Sequence, residues 1–209
     1  MLQLISPVIV CLCSMAAVAS GLYYFRSAWA ALLLYHVVLI IALVLRKNPP
    51  FDHTPLWRGF SMITVAVGSA MMTFITFYLF QKLYALGPTG AYIARRFARV
   101  GLNTRTFIPF AAYCSFINPL LEETYWRGNY ASNRPSAYMN DPLFGLFHLP
   151  IYVRFASPAV ILGSIAGITC MGLCARWLAK RLNGLVTPTI IHLVGDLTAM
   201  AAMGALIYR

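Results

Sequence analysis

Two adjacent carboxylates lie at the end of a long apolar run, in the stretch NPLLEETYWRG. Acids are rare in this chain, which has five Asp and Glu among 209 residues, against sixteen Lys and Arg. Asp52 and Asp141 fall in Pro-containing stretches, where exposure to solvent would explain them. Glu122, Glu123 and Asp196 lie in or at the ends of apolar segments, where an ionisable group is costly and indicates a functional site.

The two glutamates are neighbours in sequence but point in different directions on a helix. Glu123 and Arg127 are four residues apart, an order and spacing that favours an ion pair on one helix face. Glu122 lies about 100° around the helix from Glu123, so it needs another partner. We expect the helix to kink or restart at this point, with Asn118 as the N-cap and Pro119 as the first helical residue.

Two histidines also lie in apolar surroundings. His148 follows Phe144 by one turn in LFGLFHLPIY, and His192 precedes Asp196 by one turn in TPTIIHLVGDL. A single histidine in a helix bundle is more often a hydrogen-bonded core residue than a catalyst. Three separate segments with ionisable groups, however, must bring those groups together inside a membrane. We therefore expect them to surround one water-accessible hollow, with Glu122 able to act as a base.

Helices must position these residues, because 60% of the chain is hydrophobic and 10% is charged. That composition is typical of a multi-pass integral membrane protein. The sequence predicts an all-α transmembrane bundle of about six to eight helices, forming a single membrane domain over residues 1–209. The apolar stretches that meet or approach a spanning length are 2–25, 28–45, 60–80, 107–121, 155–178 and 185–208.

The basic excess, a net charge of +11, is spread over segment ends and loops. ARRFAR at 94–99, Arg176, Lys180 and Arg181 occupy positions where cations meet lipid headgroups. Membrane lipids are therefore the expected partners of this charge, and nucleic acid is not implied. The surrounding AYIARRFARV predicts either an amphipathic helix on the membrane surface or a basic loop.

Two other features concern helix contacts and access to the acids. Gly163 and Gly167 form a G-x-x-x-G pair, which permits close packing of two helices. The polar stretch at 127–142 lies beside the two glutamates, so we consider it a candidate rim or lid of the site.

The three acid- and histidine-bearing segments resemble the signature motifs of the CAAX protease and bacteriocin-processing family, intramembrane glutamic endopeptidases. The family pattern is E-E-x-x-x-R, then F-x-x-x-H, then H-x-x-x-N or D. The matching residues here are Glu122, Glu123, Arg127, Phe144, His148, His192 and Asp196. Asn118-Pro119, Gly128 and NGLVTPTIIH also agree. The resemblance covers about 105–205, which we take as the motif-bearing core.

The resemblance implies hydrolysis of a peptide bond at or within the membrane without a covalent intermediate. Glu122 would hold and deprotonate a water molecule, assisted by His148. Glu123 and Arg127 would brace the helix that carries the motif. His192 and Asp196 would stabilise the oxyanion of the tetrahedral intermediate.

One position departs from many members of the family, which have Asn where this chain has Asp196. A carboxylate cannot donate to an oxyanion unless it is protonated, so Asp196 would instead orient His192 as the donor. A Glu, two His and an Asp are also possible zinc ligands. The chain has no H-E-x-x-H motif, and we therefore favour water activation without a cofactor over a metal.

The substrate class stays open at this point among a prenylated C-terminus, a peptide precursor and the tail of a membrane protein. Two other functions would use the same residues. One is a non-catalytic immunity or binding protein of the membrane, and the other is a proton-coupled transporter with a Glu/His/Asp relay. A transporter predicts paired broken helices in matching halves, and the sequence has no such symmetry. The sequence does not indicate an oligomeric state.

Overall fold

The computed structural model describes residues 6–45, 58–85, 90–128 and 138–208, and these contain helices and no β-strand. The predicted all-α class is confirmed. In chain order the helices are α1 Pro7–Ala19, α2 Ala28–Val44, α3 Met62–Ala85, α4 Gly90–Ala98, α5 Phe107–Glu122, α6 Asn140–Phe147, α7 Leu149–Phe155, α8 Pro158–Leu182 and α9 Val186–Ile207. With α6 and α7 counted as one helix interrupted at His148, the described residues form eight helices, within the predicted range.

Several helix ends follow from local sequence. The Ser6 hydroxyl caps α1 by accepting from Val8 N at 3.3 Å, and Pro7 then begins the helix without needing a hydrogen bond of its own. Ser27 caps α2 in the same way, accepting from Ala30 N at 3.1 Å. At the other end of the chain, α8 stops at Asn183, which adopts a left-handed conformation with φ of 52°.

The predicted restart of a helix at Asn118 is wrong, because α5 continues through this residue. Pro119 lies inside α5, where its ring removes the bond to the carbonyl four residues earlier. Inside a helix bundle, neighbouring groups and local adjustment of the helix make such a proline tolerable. Asn118 therefore has no capping role, and its side chain is available for a partner on another helix.

In the part of the chain that the structure describes, two π-helical turns extend the α-helices, Ser20–Tyr24 after α1 and Glu123–Arg127 after α5. Such turns are rare and occur often at functional sites. The second contains Glu123 and Arg127 and follows Glu122 directly. It therefore sets the direction of the whole E-E-x-x-x-R motif.

The helix α9 packs against α3, α5 and α8, while α6 lies between α1 and α8. The pair α1 and α2 packs closely where Gly21 faces the backbone of Ala31. Helix α2 also contacts α5. Through these contacts the motif segments of α5, α6 and α9 meet in the interior.

Among the described residues, three helices are long and apolar enough to cross a membrane, namely Pro7–Tyr24, Pro158–Leu182 and Val186–Ala205. Ala28–Val44 and Met62–Tyr78 are shorter apolar helices. Large apolar side chains on the outside of the protein fit a lipid environment, for example Ile63, which is 77% exposed, and Leu162, which is 71% exposed.

Three remaining expectations have different outcomes. AYIARRFARV does form a helix, α4, with Phe97 buried and Arg95 exposed. Gly163 and Gly167 make no close helix contact with the residues that the structure describes, since a Cβ at either position would meet none of them within 4 Å. The proposed rim or lid at 127–142 lies mostly outside the described residues, because 129–137 are not among them.

The packing of α6 on α8 gives a test of the fold. In Gly145→Ala the new Cβ would lie 2.7 Å from the backbone oxygen of Ile165 and closer still to Thr169. We expect this variant to lose about 1–3 kcal/mol of stability, measured as a lower Tm in detergent. Gly163→Ala on α8 should leave the Tm unchanged or higher, and a loss there equal to that of Gly145→Ala would contradict the packing described.

Candidate active site

The imidazole of His192 lies between the two glutamates of α5 and its π-helical turn. Its Nδ1 is 2.8 Å from Glu123 Oε1, and its Nε2 is 3.4 Å from Glu122 Oε2. The same Nε2 lies 3.7 Å from Asp196 Oδ1, one turn further along α9. Both glutamates are 1% exposed. The partner that Glu122 requires is therefore a ring nitrogen of α9, not the arginine of its own helix.

Glu123 is held from both sides. Its Oε1 accepts from Arg127 Nη1 at 3.0 Å, which is the ion pair expected from their spacing, and it also faces His192. Because Oε1 is engaged in both contacts, Glu123 connects a permanent cation to the imidazole. This arrangement fixes the ring of His192 so that its other nitrogen points towards Glu122.

Arg127 is fully buried and contacts three groups. Besides Glu123, its Nε lies 3.4 Å from Asp141 Oδ1, and its guanidinium carbon lies 3.9 Å from the centre of the Phe144 ring. Such a cation over an aromatic face is stabilising, and more so without water. Gly172 of α8 makes room for the guanidinium, since a Cβ there would collide with it.

Asp141 is buried between two arginines, so the sequence-based view of a solvated loop residue is wrong. Arg176 Nε donates to Asp141 Oδ2 at 2.6 Å, and Arg176 Nη2 lies 3.3 Å from Oδ1. Arg176 is itself 1% exposed, so the expected contact with lipid headgroups is also wrong. It additionally donates to the carbonyl of Trp126 at 2.8 Å.

Asp196 is connected to the opposite side of the protein through Asn118. The Asn118 amide donates to Asp196 Oδ2 at 3.4 Å, while its oxygen lies 3.1 Å from His36 Nε2. His36 Nδ1 in turn lies 3.1 Å from the Tyr113 hydroxyl. A row of polar groups thus runs from α2 through α5 to the carboxylate on α9.

His148 lies at the break between α6 and α7. Its Nδ1 is 2.8 Å from the carbonyl oxygen of Phe144, an acceptor, so Nδ1 carries the hydrogen and Nε2 carries the lone pair. Phe144 meets His148 edge-to-face at 5.2 Å and His192 edge-to-face at 6.0 Å. Among the described residues, no hydrogen bond or ion pair joins His148 to Glu122.

Sequence reasoning missed four residues next to this cluster, Tyr35, His36, Asp141 and Arg176. The Tyr35 hydroxyl accepts from Trp126 Nε1 at 3.1 Å and also interacts with the Glu122 carboxylate. His36 lies in an apolar segment, and this is the signal that identified His148 and His192, so it was available. Asp141 and Arg176 gave no such signal. Asp141 precedes a proline, which is typical of an exposed loop, and Arg176 lies near the end of an apolar segment, where contact with lipid headgroups is expected.

The cluster gathers four carboxyls, two guanidiniums and two imidazoles, which suits transfer of protons to and from a bound molecule. Within the described part of the chain, no group of three or more His, Cys, Asp or Glu has the arrangement that would hold a metal ion. Whether the protein uses a cofactor stays a prediction.

Comparison with protein families matched residues 104–198 to the family described as type II CAAX prenyl endopeptidase, Rce1-like. The match includes all three motifs and the residues that surround His192 in space. The resemblance noted from the motifs is therefore confirmed over this range. Comparisons with curated proteins and with solved structures gave no match.

The buried pair of Asp141 and Arg176 can be tested against a surface residue of the same helix. Arg176→Gln removes the closest cation of a fully buried carboxylate, and we expect a loss on the order of 3 kcal/mol, measured as a lower Tm and a lower folded yield. Arg181→Gln makes the same change at an exposed position of α8 and should stay within about 0.5 kcal/mol of wild type. Equal Tm values for the two variants would contradict the buried pair.

Proposed function

We propose that this chain, whose residues 104–198 belong to the CAAX prenyl endopeptidase family, is a multi-pass intramembrane endopeptidase. It hydrolyses a peptide bond of a membrane-associated or lipidated protein. The family match supports membrane location and peptide-bond hydrolysis in general. The residues that perform the reaction, and the mechanism, are our proposal from the geometry.

Glu122 is the proposed base. The observation that carries this assignment is that Glu122 Oε2 is buried without a hydrogen-bond donor among the described residues, although its ion-pair distance to His192 is 3.4 Å. Buried carboxylate oxygens normally have a donor, so an oxygen without one is suited to accept a bond from a molecule that binds there. A substrate water in this position would lose its proton to Glu122 as it attacks the peptide carbonyl, and Glu122 would then give that proton to the leaving amine as the C–N bond breaks.

His148 is the proposed second contact of that water. Because Nδ1 is committed to the Phe144 carbonyl, the lone pair on Nε2 can accept a hydrogen bond. Two acceptors on different helices, Glu122 and His148, would orient the two hydrogens of one water. The remaining lone pairs of that water would then face the carbonyl carbon.

His192 is the proposed donor to the oxyanion. Glu123 fixes its Nδ1, and Arg127 fixes Glu123, so the ring is held before the substrate arrives. Donors that are already in place where negative charge develops are usually the largest contribution to such catalysis. Asp196, whose Oδ1 lies 3.7 Å from Nε2, would stabilise the positive charge of the ring and leave the one Nε2 hydrogen for the oxyanion, with Asn118 fixing the carboxylate. This role replaces the direct donation that Asn would supply.

The proposed substrate is a peptide that carries a lipid, of which a prenylated C-terminus is the form named by the family. A lipid chain would keep the substrate beside the apolar outer surface, while its peptide portion reaches the buried cluster. We propose that the reaction uses no metal or other cofactor, because the residues assigned above supply a base, a second water contact and an oxyanion donor.

The assignment of Glu122 is tested with Glu122→Gln. Gln has nearly the same shape but cannot take a proton, so we expect the rate constant for cleavage of a prenylated peptide to fall by about 10²–10⁴. The Tm in detergent should stay close to wild type. The measurement uses purified protein in lipid vesicles and follows release of the C-terminal peptide.

Comparative proteomics of cells that produce wild type or Glu122→Gln would identify the natural substrate as a cleavage product present with the first and lost with the second. Cleavage by the purified variant at the wild-type rate would show that Glu122 is not the base. No difference in cleavage products between the two cell populations, together with no activity of either protein on prenylated peptides, would favour the non-catalytic binding protein.

A further inference from the structure

A basic cavity lies at the end of the bundle where α1, α4 and α7 end. It has a volume of about 490 Å³ and is lined by Tyr23, Arg26, Arg99 and Arg154. Arg154 follows His148 by six residues, a rise of roughly 9 Å along a helix. The cavity therefore lies further along α7 than His148, and none of its lining residues belongs to the Glu122 and His192 cluster.

Hydrogen bonds to backbone carbonyls and to a tyrosine hydroxyl connect the walls of the cavity. The Tyr23 hydroxyl donates to the carbonyl of Pro150 at 3.0 Å, which joins α1 to α7. The Arg96 guanidinium donates to the carbonyl of Arg154 and to the Tyr92 hydroxyl, which joins α4 to α7. Ala28 N donates to the carbonyl of Val100 at 2.8 Å, so the start of α2 fixes the end of α4. These hydrogen bonds fix the helix ends that surround the cavity, so the cavity is part of the fold.

No carboxylate of the described residues neutralises the three cavity arginines. Four of the five acids of the chain are the buried Glu122, Glu123 and Asp141 and the partly buried Asp196, and their ion pairs are with Arg127, Arg176 and His192. The fifth, Asp52, lies outside the described residues. Like charges that line one concave surface raise the local concentration of anions.

Arg26 has a backbone conformation with φ of 53°, which is common for glycine but which L-residues other than Asn, Asp and His rarely adopt. A glycine at this position would avoid the conformational cost. The arginine at this position, where the chain turns from α1 to α2, instead supplies a further guanidinium to the lining of the cavity. Strain of this kind is often found at binding sites.

The surroundings favour a lipid as the source of the anion. Tyr24 is 81% exposed and Phe25 is 56% exposed beside the cavity, and exposed aromatic residues are typical of the level of the headgroups. Basic pockets between membrane helices bind phosphate-containing headgroups. Since the cavity opens at the end of the apolar helix Pro7–Tyr24, a lipid could place its phosphate in the cavity and its acyl chains along the apolar surface.

We propose that this cavity binds the phosphate headgroup of an anionic membrane lipid, with Arg26, Arg99 and Arg154 as its ligands. Tyr23 supplies one wall, and its ring stacks under the Arg154 guanidinium at 5.2 Å. The site is independent of peptide hydrolysis, and it anchors the end of α7 that continues from His148.

The test measures lipid retention by the full chain. Protein purified in detergent is mixed with equal amounts of phosphatidylglycerol and phosphatidylcholine, and the lipids that stay bound are counted by native mass spectrometry. We expect wild type to retain phosphatidylglycerol preferentially. Each of Arg26→Gly, Arg99→Gln and Arg154→Gln should weaken retention by about fivefold. Arg26→Gly should also keep the wild-type Tm, because glycine fits the positive φ.

Arg105→Gln is the matched control, since Arg105 is exposed and lies between α4 and α5 without lining the cavity. It should leave retention unchanged. Equal retention of the two lipids by wild type, or the same loss in Arg105→Gln as in Arg99→Gln, would overturn the proposal. Displacement of phosphatidylglycerol by millimolar inorganic phosphate would show a site for a free anion and would overturn the lipid assignment. Displacement by a prenylated peptide with a free carboxylate, but not by its amide, would assign the cavity to the substrate instead.

Discussion

The pairing of buried charges determines how this bundle is assembled. A guanidinium or carboxylate without a partner in the interior of a membrane protein is very costly, and α5 with its π-helical turn carries three such groups. Arg127 satisfies Glu123 on one side and Asp141 on the other, and Asp141 in turn satisfies Arg176. The ion pairs thereby connect α5, α6 and α8, and His192 adds α9 through Glu123. Four helices that are distant in sequence are therefore held together by ion pairs whose two members lie on different helices.

The same pairing leaves one part of the cluster less constrained than the rest. The two arginines account for Glu123 and Asp141, whereas Glu122 and Asp196 share a single imidazole nitrogen at 3.4 and 3.7 Å. The side with the two guanidiniums holds His192, and the side without a guanidinium faces the position proposed for the water. The site thus combines a donor that is fixed in place, His192, with an acceptor that is free to bind a water, Glu122. General base catalysis with oxyanion stabilisation requires both.

Local features of the cluster could be predicted from the sequence, and long-range features could not. The Glu123–Arg127 pair depends only on helix periodicity, and the convergence of the three motifs depends on the cost of isolated polar groups in lipid. Asn118 was misassigned because Asn-Pro is an ordinary helix start, and only its contacts with His36 and Asp196 on other helices show why it lies mid-helix. The partnership of Asp141 with Arg176 spans 35 residues, a separation that no periodicity encodes.

The distribution of acids over the fold explains why the interior cluster and the arginine-lined cavity differ in charge. With at least four of five carboxylates in the interior, few remain to balance arginines elsewhere, and Arg26, Arg99 and Arg154 line one cavity without a described acidic partner. Removing the interior acids would leave Arg127 and Arg176 uncompensated, while adding surface acids would neutralise the cavity. The placement of the described acids therefore suits both sites: they lie where protons and buried cations need them, and none of them lines the proposed lipid cavity, which keeps its attraction for anions.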